Sequence, residues 1–207
     1  MKILAIIPAR KNSKRIKFKN KKKLGNKPLI EYTIDVAKKI KIFKKILVTT
    51  DDTEIIKISK KKKVLAPWVR PKNLSGPNVS TYKTIRHAVE WFEKKFYKID
   101  IIFLLQPTSP FRTKKNILDA LKLFKYLKYK NSIVSVSLNK IRNKINKFAN
   151  VFELNGSIFV IKKNELYKYK TFITKKSVPL IIENEKESLD IDYINDWIKA
   201  KKYVKKS

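Results

Sequence analysis

Short, continuously apolar stretches alternate along this chain with longer amphipathic ones. KILAIIP (2–8), KILVTT (45–50) and IIFLL (101–105) carry almost no polar interruption, the pattern of strands covered on both faces of a sheet. Pro8 closes the first of them. VLAPWV (64–69), SIVSVS (132–137), NGSIFVIK (155–162) and VPLII (178–182) extend the series as shorter extended pieces. Between them lie helical patterns. From Pro28, residues Leu29, Ile30, Thr33, Ile34, Ala37 and Ile40 fall on one face at helical spacing. DDTEIIKISKKK (51–62) opens on acids that suit a positive helix N-terminus, and Asp51 and Asp52 read as that start. STYKTIRHAVEWFEKKFY (80–97) is amphipathic with Ser80 or Thr81 as N-cap, and His87 in its middle reads as structural. Helices are also predicted over 114–129 and after ESLDIDYINDW (187–197).

Strands alternating with helices at this spacing predict an α/β fold, a mostly parallel twisted sheet with helices on both faces. Ligands of such sheets bind beyond the carboxyl ends of the strands. The loops leaving that edge are PARKNSKRIKFKN, TTDDT, RPKNLSGPNVST and QPTSPFR. Beyond residue 138 the pattern loosens into a basic link. No repeat or Pro/Gly/Ser-rich linker divides the chain, so one domain over 1–207 is expected.

Charge changes the picture less than its size suggests. The formal net charge is +34, which invites nucleic acid or an anionic surface as partner. Yet lysine is scattered between elements and accompanies abundant Ile and Asn, as codon bias would write it at neutral surface positions. Arginine is rare: Arg10, Arg15, Arg70, Arg86, Arg112 and Arg142 are the six. In such a chain an arginine marks a place where a planar guanidinium fork is needed. Gln106 is the one glutamine, and Gly25, Gly76 and Gly156 are the three glycines. No apolar run approaches the ~20 residues that span a bilayer, and the N-terminal run is too short for a signal-peptide core. The absence of cysteine excludes disulfides, thiolate zinc sites and a cysteine nucleophile. A cytoplasmic location is expected.

Three stretches bear chemistry. IIPARKNSKRIKFKN (6–20) matches neither the GxxxxGK[ST] nor the GxGxxG phosphate loop, and by spacing alone it fits an anion site and an ordinary basic loop equally. Lys11, Lys14 and Lys17 read as compositional. QPTSPFR (106–112) has two prolines that stiffen the backbone after a buried strand and hold Gln106 and the hydroxyls of Thr108 and Ser109 at the ligand edge. Asp190 and Asp192, two apart, point to one side of an extended segment and suit Mg²⁺, although acids also favour a helix entry.

Taken in order, the opening block, ILVTTDDTEI, VRPKNLSGPNVST, IFLLQPTSPFRTKKNI, SIVSVS, NGSIFVIKK and ESLDIDYINDW resemble the acylneuraminate cytidylyltransferase (CMP-sialic acid synthetase) family over nearly the whole chain. The resemblance implies a Rossmann-like nucleotidyltransferase that joins CTP to a nine-carbon 2-keto sugar acid of the sialic, legionaminic or pseudaminic type, with release of pyrophosphate, for glycan biosynthesis. It implies that Arg10, Ser13, Lys19 and Asn20 hold the triphosphate and that Arg70, Val79 and Thr81 meet the cytidine. It further implies that Gln106, Asn155 and Gly156 face the acceptor sugar and that Asp190 and Asp192 hold Mg²⁺. Arg10, Lys19, Asn20 and Gln106 become the candidate catalytic residues.

Two departures qualify the resemblance. Residues 138–154 form a shortened version of the family's dimerisation insertion, with Arg142 as its one arginine, which weakens the expectation of a homodimer. GPN (76–78) stands where many members carry an aspartate. Two alternatives remain: a transferase for the eight-carbon acid Kdo, and a non-catalytic basic protein binding RNA or an anionic surface on a degenerate transferase scaffold. Scattered lysine without an aromatic stacking platform makes nucleic acid the weaker partner.

Overall fold

The structure, a computed structural model, describes residues 1–142 and 148–205. Its main sheet has six strands in the order β4-β1-β5-β7-β6-β8. Strand β1 (Ile3–Ala9) lies parallel to β4 (Ile46–Thr50) and β5 (Ile101–Leu105). Strand β7 (Phe148–Lys162) runs antiparallel to both β5 and β6 (Ile133–Arg142), and β8 (Val178–Ile181) pairs parallel with β6. The sheet is therefore mostly parallel, as the sequence predicts, and the reversal comes where β7 enters it.

The uninterrupted apolar runs build this sheet because both faces are covered. In β1, Ile3, Ala5 and Ile7 turn to one side, where they pack with α1 (Leu29–Lys38), α2 (Thr53–Lys61) and α4 (Lys114–Tyr126) through Ile34, Ile55 and Phe124. Leu4 and Ile6 turn to the other side, onto α3 (Thr81–Lys95) and α5 (Lys163–Tyr169) through Ile85, Phe92 and Leu166. Each such fully buried aliphatic side chain contributes about 1.5–3 kcal/mol. Caps fix where the helices start: the Asp52 carboxylate accepts the Glu54 N–H at 2.9 Å, Ser80 accepts from Lys83, and Thr113 and Asn116 form a capping box.

A third, smaller core matters more for the ligand edge. Ile16, Leu24, Leu29, Leu189, Ile191, Trp197 and Ala200 pack together, with Phe111 and Val204 against them. They join the first polar loop and the hairpin β2 (Lys23–Leu24) and β3 (Lys27–Pro28) to α7 (Ile194–Lys205). Gly25 turns that hairpin with φ +61°, and a Cβ there would lie 2.5 Å from Val204 Cγ1, so only glycine admits the close packing of α7.

Some expectations need correction. The 64–69 stretch makes only the isolated bridges Leu47–Leu65 and Thr50–Val69, since Pro67 interrupts any ladder. The helix expected over 114–129 stops at Tyr126, and Lys128 and Tyr129 take left-handed conformations. The basic link after 138 is mostly strand, because β6 and β7 stay paired from Leu138–Phe152 to Arg142–Phe148. Of the shortened insertion, residues 143–147 lie outside the described residues. The hairpin β2–β3, α5 and the short α6 (Glu185–Ser188) were not legible in the pattern.

Candidate functional site

Beyond the carboxyl ends of β1 and β5 opens a cavity of about 490 Å³. Its lining includes Arg10, Ser13, Lys19 and Asn20 from the first loop, Arg70, Val79 and Thr81 from the approach to α3, Gln106 from the end of β5, and Asp192. Segments far apart in sequence thus meet at the edge where a sheet of this type binds ligands. Asn155, Gly156 and Asp190 adjoin it on the Gln106 side: a Cβ on Gly156 would stand 2.7 Å from Gln106 Oε1 and 3.3 Å from Asp190 Oδ2. Gly156 has φ +65°, so a side chain there is strained by the backbone and would push the Gln106 amide aside.

The first loop leaves β1 and reaches a 3₁₀ turn at Lys19–Lys21 through Phe18, a left-handed residue at φ 54°. Lys19 is buried to 7% exposure, and its ammonium donates to the Ile191 carbonyl at 2.5 Å and to Asp192 Oδ1 at 3.0 Å. Arg15 donates to Asp192 Oδ2 at 2.9 Å, with its guanidinium carbon 4.3 Å from the centre of the Tyr193 ring. Asn20 donates to the Arg10 carbonyl at 2.9 Å and leaves its own Oδ1 buried without a partner. Arg15 and Lys14 both line the cavity, though neither belonged to the set expected from the resemblance. The rarity of arginine already marks Arg15 in the sequence, whereas Lys14 reads as compositional.

Arg70 is held by three neighbours. It donates to the Thr49 carbonyl at 3.3 Å, Asp51 Oδ1 at 3.4 Å and Ser75 Oγ at 3.2 Å. Burial lowers its pKa from the usual guanidinium value, and Asp51 offsets part of that effect. Asp51 also accepts the Lys11 N–H at 2.8 Å and so ties Arg70 to the first loop. Of the acidic pair read as a helix start, Asp52 is the cap and Asp51 does this separate work. His87 stacks edge-on against Trp68 at 5.3 Å, with its pKa lowered by burial and by Arg70, in keeping with a structural role.

Around Gln106 the site is drier. Asn155 Oδ1 accepts from Ser135 Oγ at 2.6 Å and from the Ser157 N–H at 3.1 Å, whereas Nδ2 is buried without a partner. Asp190 has its pKa pushed up to about 6, chiefly by burial and further by the charge of Asp192, with the Thr108 hydroxyl and then Lys19 pulling the other way. Its Oδ1 has no hydrogen-bond partner. An unpartnered, desolvated carboxylate oxygen beside a second carboxylate is a donor set that fits Mg²⁺, which takes one or two protein carboxylates and completes its octahedron with water and phosphate oxygens. Among the described residues no group of three or more acids and histidines gathers for a metal, so the fit is to that sparse kind of site.

Known proteins resemble the chain in both sequence and fold. A family model described as cytidylyltransferase matches residues 4–206. The CMP-N,N'-diacetyllegionaminic acid synthase of Legionella pneumophila is 30% identical, across 99% of this chain and 97% of its own length. The N-acylneuraminate cytidylyltransferase of Escherichia coli O18:K1:H7 is 34% identical over 92% of this chain, which spans 49% of that relative. A CMP:2-keto-3-deoxy-manno-octonic acid synthetase solved with CTP superposes with a TM-score of 0.74 at 14% identity, covering 100% of this chain and 99% of that one. At such identity the structural likeness speaks for the fold alone. Among the described residues, no helix is long and apolar enough to cross a membrane.

Proposed function

The chain belongs to the cytidylyltransferase family, and from that premise we propose that it joins CTP to a nine-carbon 2-keto sugar acid, releasing pyrophosphate. The observation that carries this reading is the meeting of a cationic loop with Asp192 at one cavity, where Lys19 binds that carboxylate from 173 positions away. Attack of the anomeric hydroxyl on the α-phosphorus, in line with departing pyrophosphate, asks the protein for position and charge neutralisation more than for covalent chemistry.

In this reading Arg10, Ser13, Lys19 and Asn20 bind the triphosphate. Lys19 offsets charge developing on its oxygens as the α–β bond breaks. Arg70, Val79 and Thr81 seat the cytidine. Gln106, Asn155 and Gly156 orient the acceptor, the unpartnered Asn155 Nδ2 being a donor ready for one of its oxygens. Asp190 and Asp192 would hold Mg²⁺, which when bound supplies further neutralisation of phosphate charge. Lys19 and Arg15 occupy the Asp192 carboxylate now and are the cations a triphosphate would draw away. Nine-carbon acids are favoured because the relatives named above by sequence are named for legionaminic and acylneuraminic acids. The eight-carbon alternative rests on a likeness of fold.

The test is pyrophosphate release from CTP and Mg²⁺ with N-acetylneuraminate, N,N'-diacetyllegionaminate, pseudaminate and 2-keto-3-deoxy-manno-octonate in parallel. Turnover with a nine-carbon acid is expected. Turnover confined to the eight-carbon acid, or none with any acid, overturns the acceptor assignment.

A further inference from the structure

We propose that Arg112 is a positioning residue for the acceptor half of this site: a buried guanidinium that fixes the separation between Gln106 and the Asn155–Gly156 backbone. The proposal rests on the acceptor reading above and deepens it.

Arg112 is 3% exposed and touches no ligand space. Its Nε donates to the Ser157 carbonyl at 2.9 Å and to Ser157 Oγ at 3.0 Å, Nη1 to Thr33 Oγ1 at 3.3 Å, and Nη2 to the Gln106 carbonyl at 2.6 Å. The acceptors lie on β7, on α1 and just past the end of β5, and all are neutral. Among the described residues Arg112 makes no salt bridge, and the carboxylate in whose field it sits is Asp190. A buried cation without an ion-pair partner is an expensive way to hold a fold together; a well-packed apolar side chain would do better. What the guanidinium alone provides is a planar fork that reaches three elements at once, which an ammonium on a flexible stem does not.

The joined segments are those that carry the acceptor groups. Gln106 is bound through its own carbonyl, and Gly156 and Asn155 immediately precede Ser157. The Gln106 side chain then reaches Gly156 so closely that a Cβ there would stand 2.7 Å from Oε1. Ser109 adds a bond from its hydroxyl to the Asn155 carbonyl at 3.2 Å, so the QPTSPFR turn grips the 155–157 backbone at two points, with Arg112 the wider. This gives the conspicuous arginine of that motif a task, and explains why a chain that writes lysine nearly everywhere keeps arginine here.

The experiment compares Arg112→Lys, Arg112→Met and Ser157→Ala with the parent, using CTP and whichever acid of the panel the parent turns over best. For Arg112→Lys, which keeps the charge and loses the fork, KM for the acid should rise about tenfold or more, as expected when a reactant is misplaced, with KM for CTP nearly unchanged. Ser157→Ala should show a smaller shift in the same direction. Amide hydrogen exchange without ligand should quicken at 105–108 and 155–158 in both variants, with β1 and α3 unchanged. Recovery of the parent KM by lysine, or a parallel rise of both KM values with exchange quickened throughout, overturns the proposal. Should Arg112→Met fail to fold, the other two variants decide. Should the parent turn over no acid, the acceptor reading fails, while the exchange pattern still decides whether Arg112 holds these segments together.

Discussion

The two halves of the cavity differ in how far their charges are exposed and paired. On the side proposed for the triphosphate, Lys19 is buried and Asn20 Oδ1 has no partner, but Arg15 and Asp192 are about half exposed and pair with one another across the rim. On the side proposed for the acceptor the groups are buried: Arg112, Asn155 and Ser157 bind neutral partners, and Asn155 and Asp190 each keep an atom with none. Exposed pairs exchange partners at little cost, since each is worth roughly 1 kcal/mol or less. Buried networks do not rearrange so cheaply. On the proposed reading, the half assigned to the triphosphate is built to re-pair when an anion arrives, and the half assigned to the acceptor is built in advance.

The sharpest way to test this division is at the boundary, where Asp192 belongs to the exposed half and its neighbour Asp190 to the buried one. Asp192→Asn should lower turnover by about 10³-fold or more, equivalent to ~4 kcal/mol of lost transition-state stabilisation, with circular dichroism unchanged. Near-normal turnover would reduce the carboxylate pair to a helix entry.

Asp190 should betray its burial through pH. Its folded-state pKa of about 6 lies above the ordinary 3.8, so the folded protein binds the extra proton between these values. Stability from this group is fully present below about 4 and lost as pH rises through 6, a swing of up to about 3 kcal/mol. Thermal unfolding from pH 4 to 7 should show that component in the parent and not in Asp190→Asn. Identical profiles would mean that Asp190 is solvated after all.

A smaller effect is expected from Gly156→Ala, which forces a side chain into a left-handed position against Gln106. It should cost about 2 kcal/mol in stability, measured by urea denaturation, and weaken the acid substrate more than CTP. Equal weakening of both would deny that the halves are separable. The smallest test falls on the exposed half: Phe18→Gly relieves a left-handed phenylalanine at the turn into Lys19 and should stabilise by about 1 kcal/mol or less. A loss of stability instead would show that the contact of the Phe18 ring with the Lys21 ammonium outweighs the strain.

The sequence made these halves legible to different degrees, and for physical reasons. Strands such as 101–105 could be read because burial on both faces demands unbroken apolar residues. The loop cations and Asp192 stood out by residue type, and the structure brings Lys19 and Arg15 onto Asp192. The two-residue strands of the hairpin at 23–28 are too short for any period to appear. Ile16 and Leu24 lie inside a stretch that reads as polar, and their burial depends on α7, far along the chain. Arg112 was visible as a rare residue, but not as an internal one, because its three partners at Thr33, Gln106 and Ser157 come from separate elements.

The small core beneath the exposed half bears on protein synthesis. Lys19 and its loop leave the ribosome long before Leu189, Ile191 and Trp197, which complete that core, and before Asp192, 173 positions on. Domains assemble as translation proceeds, from the N-terminus onward. A growing chain therefore carries its cationic loop before Asp192, the carboxylate that pairs with Lys19 and Arg15, has been made. If the proposed site is right, catalytic competence arrives only with translation of the segment around α7, and a chain interrupted before that point performs no transfer.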